Sequence, residues 1–328
     1  MSRRNLRSYL AVAALAITTA CSGPAEGPPD AGPDAGGPPE ADAAPVEDAA
    51  VDAAPDAAPD APPDAPPPPP DELTAIVELS NCSGSVVRLR TSQPTDHALV
   101  LTNGHCIGGG FLDPGEAVAG RPSTRRMNVL EPDALVPGPP MGPPPDTGVR
   151  VAVQASELVY ATMTTTDMAL YRLTITYGEL ENDHGVHAMT IIDRHPDAGT
   201  AILVPSGYWH ALFACSIDAF VYGLREGGWM FEDSIRYTQP GCETIGGTSG
   251  SPIVATATHE VIGINNTANE GGTACSVNNP CEVDARGHTM SFEDGRYGQQ
   301  IYLLYGCLSP TNELDFDLPG CHLPRPTP

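Results

Sequence analysis

The sequence predicts an all-β domain of barrel or sandwich type, and three observations predict it. Short β-branched or aromatic runs recur from residue 73 onward. Gly, Pro, Asn and Asp stand between them, and few stretches carry the periodicity of a helix. The runs are 75–79, 85–90, 98–102, 149–154, 158–162, 168–173, 201–204, 211–214, 220–223, 235–238, 253–255 and 261–264. Residues 112–148, which include VPGPPMGPPPDTG, are rich enough in Pro and Gly to read as one long surface loop. Gln299–Leu308 is the best helical candidate, as a short helix or a last strand. NDHGVH, with His184 and His187, reads as a polar loop rather than a metal site. Tyr208, Trp209 and His210 in GYWHALF read as barrel packing.

The 328 residues are not uniform. Residues 1–21, MSRRNLRSYLAVAALAITTAC, place Arg3, Arg4 and Arg7 before an apolar run from Tyr9 to Ile17, and small residues follow. That is the order of a bacterial export signal. The run is shorter than the ~20 residues a membrane span needs. Cys21 after Thr-Thr-Ala resembles a lipobox, where cleavage leaves a lipidated N-terminal cysteine, although Thr18 stands where Leu or Val is usual. The expectation is an extracytoplasmic protein at the cell envelope, held to a membrane through lipid on Cys21. A soluble secreted protein cut nearby is the alternative. Residues 22–72 hold thirteen Asp or Glu and no Arg. Such a segment has little to bury and repels itself, so it is expected to be a disordered, extended tether.

Residues 73–328 are long enough for one large all-β domain or two small lobes with cores. The formal net charge is −25, and 73–328 keep 28 acidic against 13 basic residues. Every basic residue is Arg; the chain has no Lys. An acidic surface repels phosphate, which argues against nucleic acid as a partner. Nine cysteines become eight if Cys21 carries lipid: Cys82, Cys106, Cys215, Cys242, Cys275, Cys281, Cys307 and Cys321. An even number in an exported chain points to as many as four disulfides. Zinc is the competing reading, but the Cys275–Cys281 spacing is wide for a paired-ligand knuckle and no second close pair accompanies it. No metal or cofactor is expected.

Three stretches bear on chemistry. A serine hydroxyl is a poor nucleophile at neutral pH. It needs a base, a group that orients the base, and donors for the oxyanion formed on attack. Ser249 lies in GGTSGSPI, where Gly246, Gly247 and Gly250 permit positive φ and close backbone approach. His105 lies in LTNGHC, after an apolar strand and a tight Asn-Gly turn. Asp167 opens an alternating strand in TTTDMALYRL. Taken alone, each has a bland reading, a small-residue turn for Ser249 and a strand cap for Asp167.

Together, LTNGHC, TTTDMALYRL and GGTSGSPI resemble the His, Asp and Ser motifs of trypsin/chymotrypsin-like serine proteases. They stand in that family's order, 62 and 82 residues apart. SGSP and the EVIGIN of Glu260–Asn265 are more similar to the bacterial glutamyl-endopeptidase branch. The resemblance covers most of 73–308. It implies two six-stranded antiparallel barrels with the site in the cleft between them. His105 and Asp167 would come from the first barrel and Ser249 from the second. His105 would take the Ser249 proton and return it to the leaving amine, and Asp167 would orient and stabilise the imidazolium. The Gly247 and Ser249 amides would form the oxyanion hole. A Cys82–Cys106 bridge is implied, and Cys242–Cys275 has the spacing of the bridge beside the family's substrate pocket.

Departures from the pattern matter. Thr248 replaces the Asp that captures a new N-terminus in animal trypsins, and there is no IVGG, so activation by that ion pair is not expected. Asn265 stands about where glutamyl-specific relatives carry a pocket His, while Thr244 matches a pocket threonine of that branch. Glu243, six residues before Ser249, has the spacing of trypsin's pocket acid and would pair with Arg or Lys. The resemblance implies a monomeric serine endopeptidase acting on protein or peptide substrates through an acyl-enzyme. A surface-displayed binding module that keeps the fold without turnover is the alternative. An esterase would share the chemistry.

Overall fold

Alternation of buried and half-buried residues decides where the strands fall. The structure, a computed structural model, describes residues 73–143 and 146–327. The export signal, Cys21 and the acidic tether expected before residue 73 lie outside the described residues. The first set of elements is β1 (Ile76–Glu78), β2 (Ser83–Arg88), β3 (His97–Thr102), β4 (Ala117–Pro122), β5 (Arg126–Leu130), β6 (Val136–Pro137), β7 (Val149–Thr162), β8 (Met168–Thr176), α1 (Tyr177–His184) and β9 (Met189–Thr190). The second is β10 (Ala201–Ser206), β11 (Ala211–Glu226), β12 (Trp229–Tyr237), β13 (Pro252–Ala255), β14 (Val261–Ala268), β15 (Cys281–Val283), β16 (Thr289–Met290) and β17 (Arg296–Gln300).

Six strands of each set close on themselves, and β6 pairs with β11 of the second. In the first, antiparallel pairing runs β1-β5-β7-β8-β3-β2, and β2 returns to β1. In the second it runs β10-β13-β14-β17-β12-β11, and β11 returns to β10. The fold is the expected pair of six-stranded antiparallel barrels. Closure leaves the ring strands without free edges. Ile76, Val86, Val100, Val129, Tyr160 and Leu173 fill the first barrel; Ile202, Val204, Phe213, Ile235 and Ile253 fill the second. Fully burying one such aliphatic side chain stabilises by roughly 1.5–3 kcal/mol.

The barrels meet along a polar seam. The Ser83 amide donates to the Ser249 carbonyl at 2.8 Å. The Ser83 and Ser206 hydroxyls lie 3.0 Å apart, and Thr166 Oγ1 donates to the Gln300 carbonyl at 3.2 Å. The chain beyond β17 turns through a 3₁₀ segment, Tyr302–Cys307, and runs back over the first barrel. There Tyr160 Oη donates to the Pro324 carbonyl at 2.8 Å, and the Thr327 amide to that of Ala117 at 3.0 Å.

Several expectations are corrected. The segment 112–148 is not one loop, because it contains β4 and β5, and β5 is the strand that joins β1 to β7. Met127, Val129 and Leu130 are buried, a pattern outweighed by the Pro/Gly run that follows it in sequence. Pro122 is tolerated because β4 pairs on one side only, with β7. His184 is not in a polar loop; it ends α1. Thr176 caps that helix by a reciprocal capping box with Glu179, and Gly185 closes it at φ 62°. Gln299–Leu308 divides into the end of β17 and the 3₁₀ segment. Tyr208 and Trp209 lie in the turn between β10 and β11, from which Trp209 packs against the second barrel's core as expected, and His210 is buried. The disulfides are Cys82–Cys106, Cys215–Cys242, Cys275–Cys281 and Cys307–Cys321. Cys242–Cys275 therefore does not form. β11 and the turn before Ser249 bring Cys215 to Cys242, and Cys275 closes a small loop with Cys281 instead.

Candidate active site

β3 runs out at Thr102, and the chain tightens at once into a 3₁₀ turn, Gly104–Cys106, that carries His105. The turn is pinned on two sides. Cys106 is bonded to Cys82. Asn103 Nδ2 donates to the Asp167 carbonyl at 2.7 Å. Asp167 itself stands just before β8 and is 1% exposed. Its two carboxylate oxygens are both used by His105: Oδ1 accepts the backbone amide at 3.1 Å, and Oδ2 accepts from Nδ1 at 2.7 Å. A buried carboxylate accepting at Nδ1 fixes the tautomer and leaves Nε2 as the ring's basic atom. Burial of the ring acts to lower its pKa. The charge and hydrogen bond of Asp167, with the charge of Glu226, outweigh this and raise it above the ordinary histidine value.

Ser249 sits on a tight turn. The Ile245 carbonyl accepts the Thr248 amide at 3.0 Å and the Thr248 hydroxyl at 2.6 Å. Gly247 takes φ 91°, the conformation such a turn demands of its third residue. The turn is buttressed from behind. Asn265 Nδ2 donates to the Thr248 carbonyl at 3.1 Å, and Trp209 Nε1 to the Gly246 carbonyl at 2.7 Å. Among the described residues no acceptor takes the amides of Gly247 or Ser249. Ser249 Oγ donates to the Asn266 carbonyl at 3.2 Å. Among the described residues no hydrogen bond joins it to His105, although both side chains line one cavity of about 50 Å³.

That cavity also holds residues the sequence did not single out. Phe111 stands edge-on to the His105 ring at 6.0 Å and to Trp229 at 5.6 Å. Asn266, Thr267, Val277 and Asn278 contribute from β14 and the loop after it. Glu226, the last residue of β11, is buried and faces in. Its Oε1 accepts from Asn278 N–H at 2.7 Å and Thr267 Oγ1 at 3.0 Å. Burial raises its carboxyl pKa, aided by the charge of Asp167 and opposed by those two hydrogen bonds and by His105. In sequence it is an acid before Gly-Gly at a hairpin tip, which ordinarily faces water.

The three pocket candidates are placed elsewhere. Glu243 is exposed and borders a separate hollow with Pro137, Leu212 and Phe213. Thr244 is buried. Asn265 is held between Thr248 and the Tyr237 hydroxyl, 3.1 Å from its Oδ1. None of them lines the cavity shared by His105 and Ser249. Cys82 and Cys106 approach His105 closely, but their sulfurs are bonded to each other and offer no thiolate to a metal.

A family model described as trypsin-like peptidase domain matches residues 82–264, more than half of the chain. The chain belongs to the trypsin-like peptidases. The match spans His105, Asp167, Glu226 and Ser249, and it ends before Asn266, Thr267, Val277 and Asn278, which complete the cavity wall. No curated protein sequence matches the chain. Among solved structures, this trypsin-like peptidase is similar to the MamO protease domain of Magnetospirillum magneticum, at 13% identity and a TM-score of 0.43, over 73% of this chain and 98% of that one. It is also similar to the thermostable serine protease AL20 of an extremophilic microorganism, at 16% identity and TM-score 0.40, over 71% and 93% of the two chains. A third is the serine endoprotease of Yersinia pestis, at 14% identity and TM-score 0.39, over 74% and 66%.

Proposed function

We propose that this trypsin-like peptidase is a serine endopeptidase in which Ser249 attacks the scissile carbonyl, His105 is the base and Asp167 orients it. The observation that carries this reading is the meeting of a carboxylate-bound imidazole and a serine, from two barrels, in one cavity. Nε2 of His105 takes the hydroxyl proton as Oγ bonds to the carbonyl carbon, and returns it to the amine as the peptide bond breaks. The free Gly247 and Ser249 amides receive the oxyanion. Water then repeats the cycle on the acyl-enzyme. The Asn266-facing hydroxyl has to rotate toward Nε2 first; such hydrogen bonds commonly tighten only in the substrate complex.

The same hydroxyl orientation favours the second reading, a binding module without turnover. Labelling by a fluorophosphonate separates the two. Wild-type protein is expected to be labelled and to cleave casein, and Ser249→Ala to do neither while melting at an unchanged temperature. Unlabelled, correctly disulfide-bonded wild-type protein overturns the proposal.

The remainder of the proposal concerns place. Four disulfides belong to an oxidising compartment, which supports export. With the signal-like start and Cys21, this supports a peptidase domain over 73–328, carried on an acidic tether from a lipid anchor.

A further inference from the structure

We infer that Glu226 makes the cleft select a lysine side chain of the substrate, close to the bond that is cut. The inference rests on the peptidase reading above and names what that site prefers. The acid at the trypsin-like spacing, Glu243, is outside the cavity; the acid inside it is Glu226. Both of its protein donors, Thr267 and Asn278, go to Oε1. Oε2 accepts from no described residue and is not sealed away, since Glu226 lines the cavity and Oε2 is not among the buried atoms without a partner. A carboxylate at 8% exposure with one oxygen unmatched loses hydration without gaining a cation. A substrate ammonium would supply that cation.

The walls suit a lysine stem. Phe111 is 53% and Val277 44% exposed beside Trp229, so three apolar surfaces stand at the cavity mouth. Methylenes lie well on such surfaces while the charged head reaches onward, and an aromatic face attracts the cation as it passes. Acceptor geometry favours lysine over arginine. With Oε1 already taken by two donors, Oε2 alone is offered, which suits the point charge of an ammonium, whereas the planar guanidinium fork pairs best with both carboxylate oxygens at once. The chain itself carries sixteen basic residues, all Arg, and no Lys, so it presents none of the side chain that this site would select. A net charge of −25 draws cationic peptides toward it.

The test uses the full, disulfide-bonded chain and matched peptides bearing Lys, acetyl-lysine, norleucine, Arg or citrulline at each position around one scissile bond. At one position, kcat/KM for Lys is expected to exceed norleucine and acetyl-lysine by roughly ten- to a hundredfold, and to exceed Arg. Glu226→Gln is expected to collapse the Lys-to-norleucine ratio toward one. The ratio is the readout, so a lower overall rate in the variant does not obscure it. If Glu226→Gln does not fold, the acetyl-lysine comparison on wild-type protein still decides. A wild-type ratio below about threefold at every position, an equal or better Arg, or a Lys preference that survives Glu226→Gln overturns the inference. Fluorophosphonate labelling is measured alongside. Labelled enzyme that cleaves without Lys preference overturns this inference alone; absence of labelling overturns the peptidase reading with it.

Discussion

At the scale of single residues, the raised pKa of His105 sets opposite demands on stability and on chemistry. Its folded value lies above the unfolded one, so the stabilisation from pairing with Asp167 is fully present below the unfolded pKa. It is lost as pH rises through the folded value. In the proposed mechanism turnover runs the other way, because His105 would accept the Ser249 proton only once neutral. The acid limb of kcat/KM is therefore expected to fall above the ordinary histidine value of about 6.5. Asp167→Asn removes the charge that holds the limb up. It is expected to move the limb downward and to lower kcat by about four orders of magnitude, as loss of the acid does in dissected triads. A pH–rate series on both proteins checks this, and an unmoved limb would show that Asp167 does not set the ring's pKa. The proposed triad, His105, Asp167 and Ser249, was legible in sequence because such chemistry allows few other residue types. Glu226 was not. Its hydrogen-bond donors are Asn278 and Thr267, 52 and 41 residues away, and no local pattern announces such partners.

The turn that carries Ser249, the proposed nucleophile, is the element on which the candidate site depends, and two of its glycines have physical reasons. Gly247 needs its positive φ, and a Cβ there would meet Tyr208 and Trp209 at 2.6 and 2.8 Å. Gly250, at φ 82°, packs so closely on the other barrel that a Cβ would overlap the Ser83 carbonyl oxygen and Thr102 Oγ1. Gly250→Ala is thus expected to push the turn off the Ser83 strand. The predicted cost is roughly 1–3 kcal/mol in denaturant unfolding, together with most of the fluorophosphonate labelling. Gly246→Ala, whose Cβ would meet nothing within 4 Å, serves as the control and is expected to keep both. Element by element, strands with alternating apolar residues were readable. β4 and β5 were missed because a Pro/Gly run beyond them dominated the composition of 112–148. α1 was missed although Thr176 and Glu179 spell its capping box; eight residues with only Tyr177 and Leu180 buried carry too little helical periodicity to stand out.

Over the whole molecule, the cleft exists only while two barrels hold their relative position, and the tail that follows the second barrel is packed on the first. After the second barrel, the tail returns to the first through Tyr160 and Ala117, packs Phe316 against the Tyr160 ring at 5.2 Å, and buries Leu323. Arg172 on β8 adds an ion pair to Glu313 at 2.9 Å, half in water and so a minor contribution. Cys307–Cys321 closes the start of this tail over a separation of 14 residues. In the chain-entropy account a loop of that size stabilises by about 3 kcal/mol, with a range of about 0–5. Replacing both cysteines together, Cys307→Ser with Cys321→Ser, avoids a free thiol that could exchange with the other bridges. That double variant is expected to unfold at lower denaturant by about 2–3 kcal/mol. Well below its melting temperature it should still label at Ser249, because neither cysteine lines the cavity. Loss of labelling in folded double variant would mean that the tail positions the barrels rather than only stabilising them. The rate of proteolytic nicking after residue 308 then separates the two roles. A tail that only stabilises can be cut with labelling intact, whereas a tail that sets the cleft cannot.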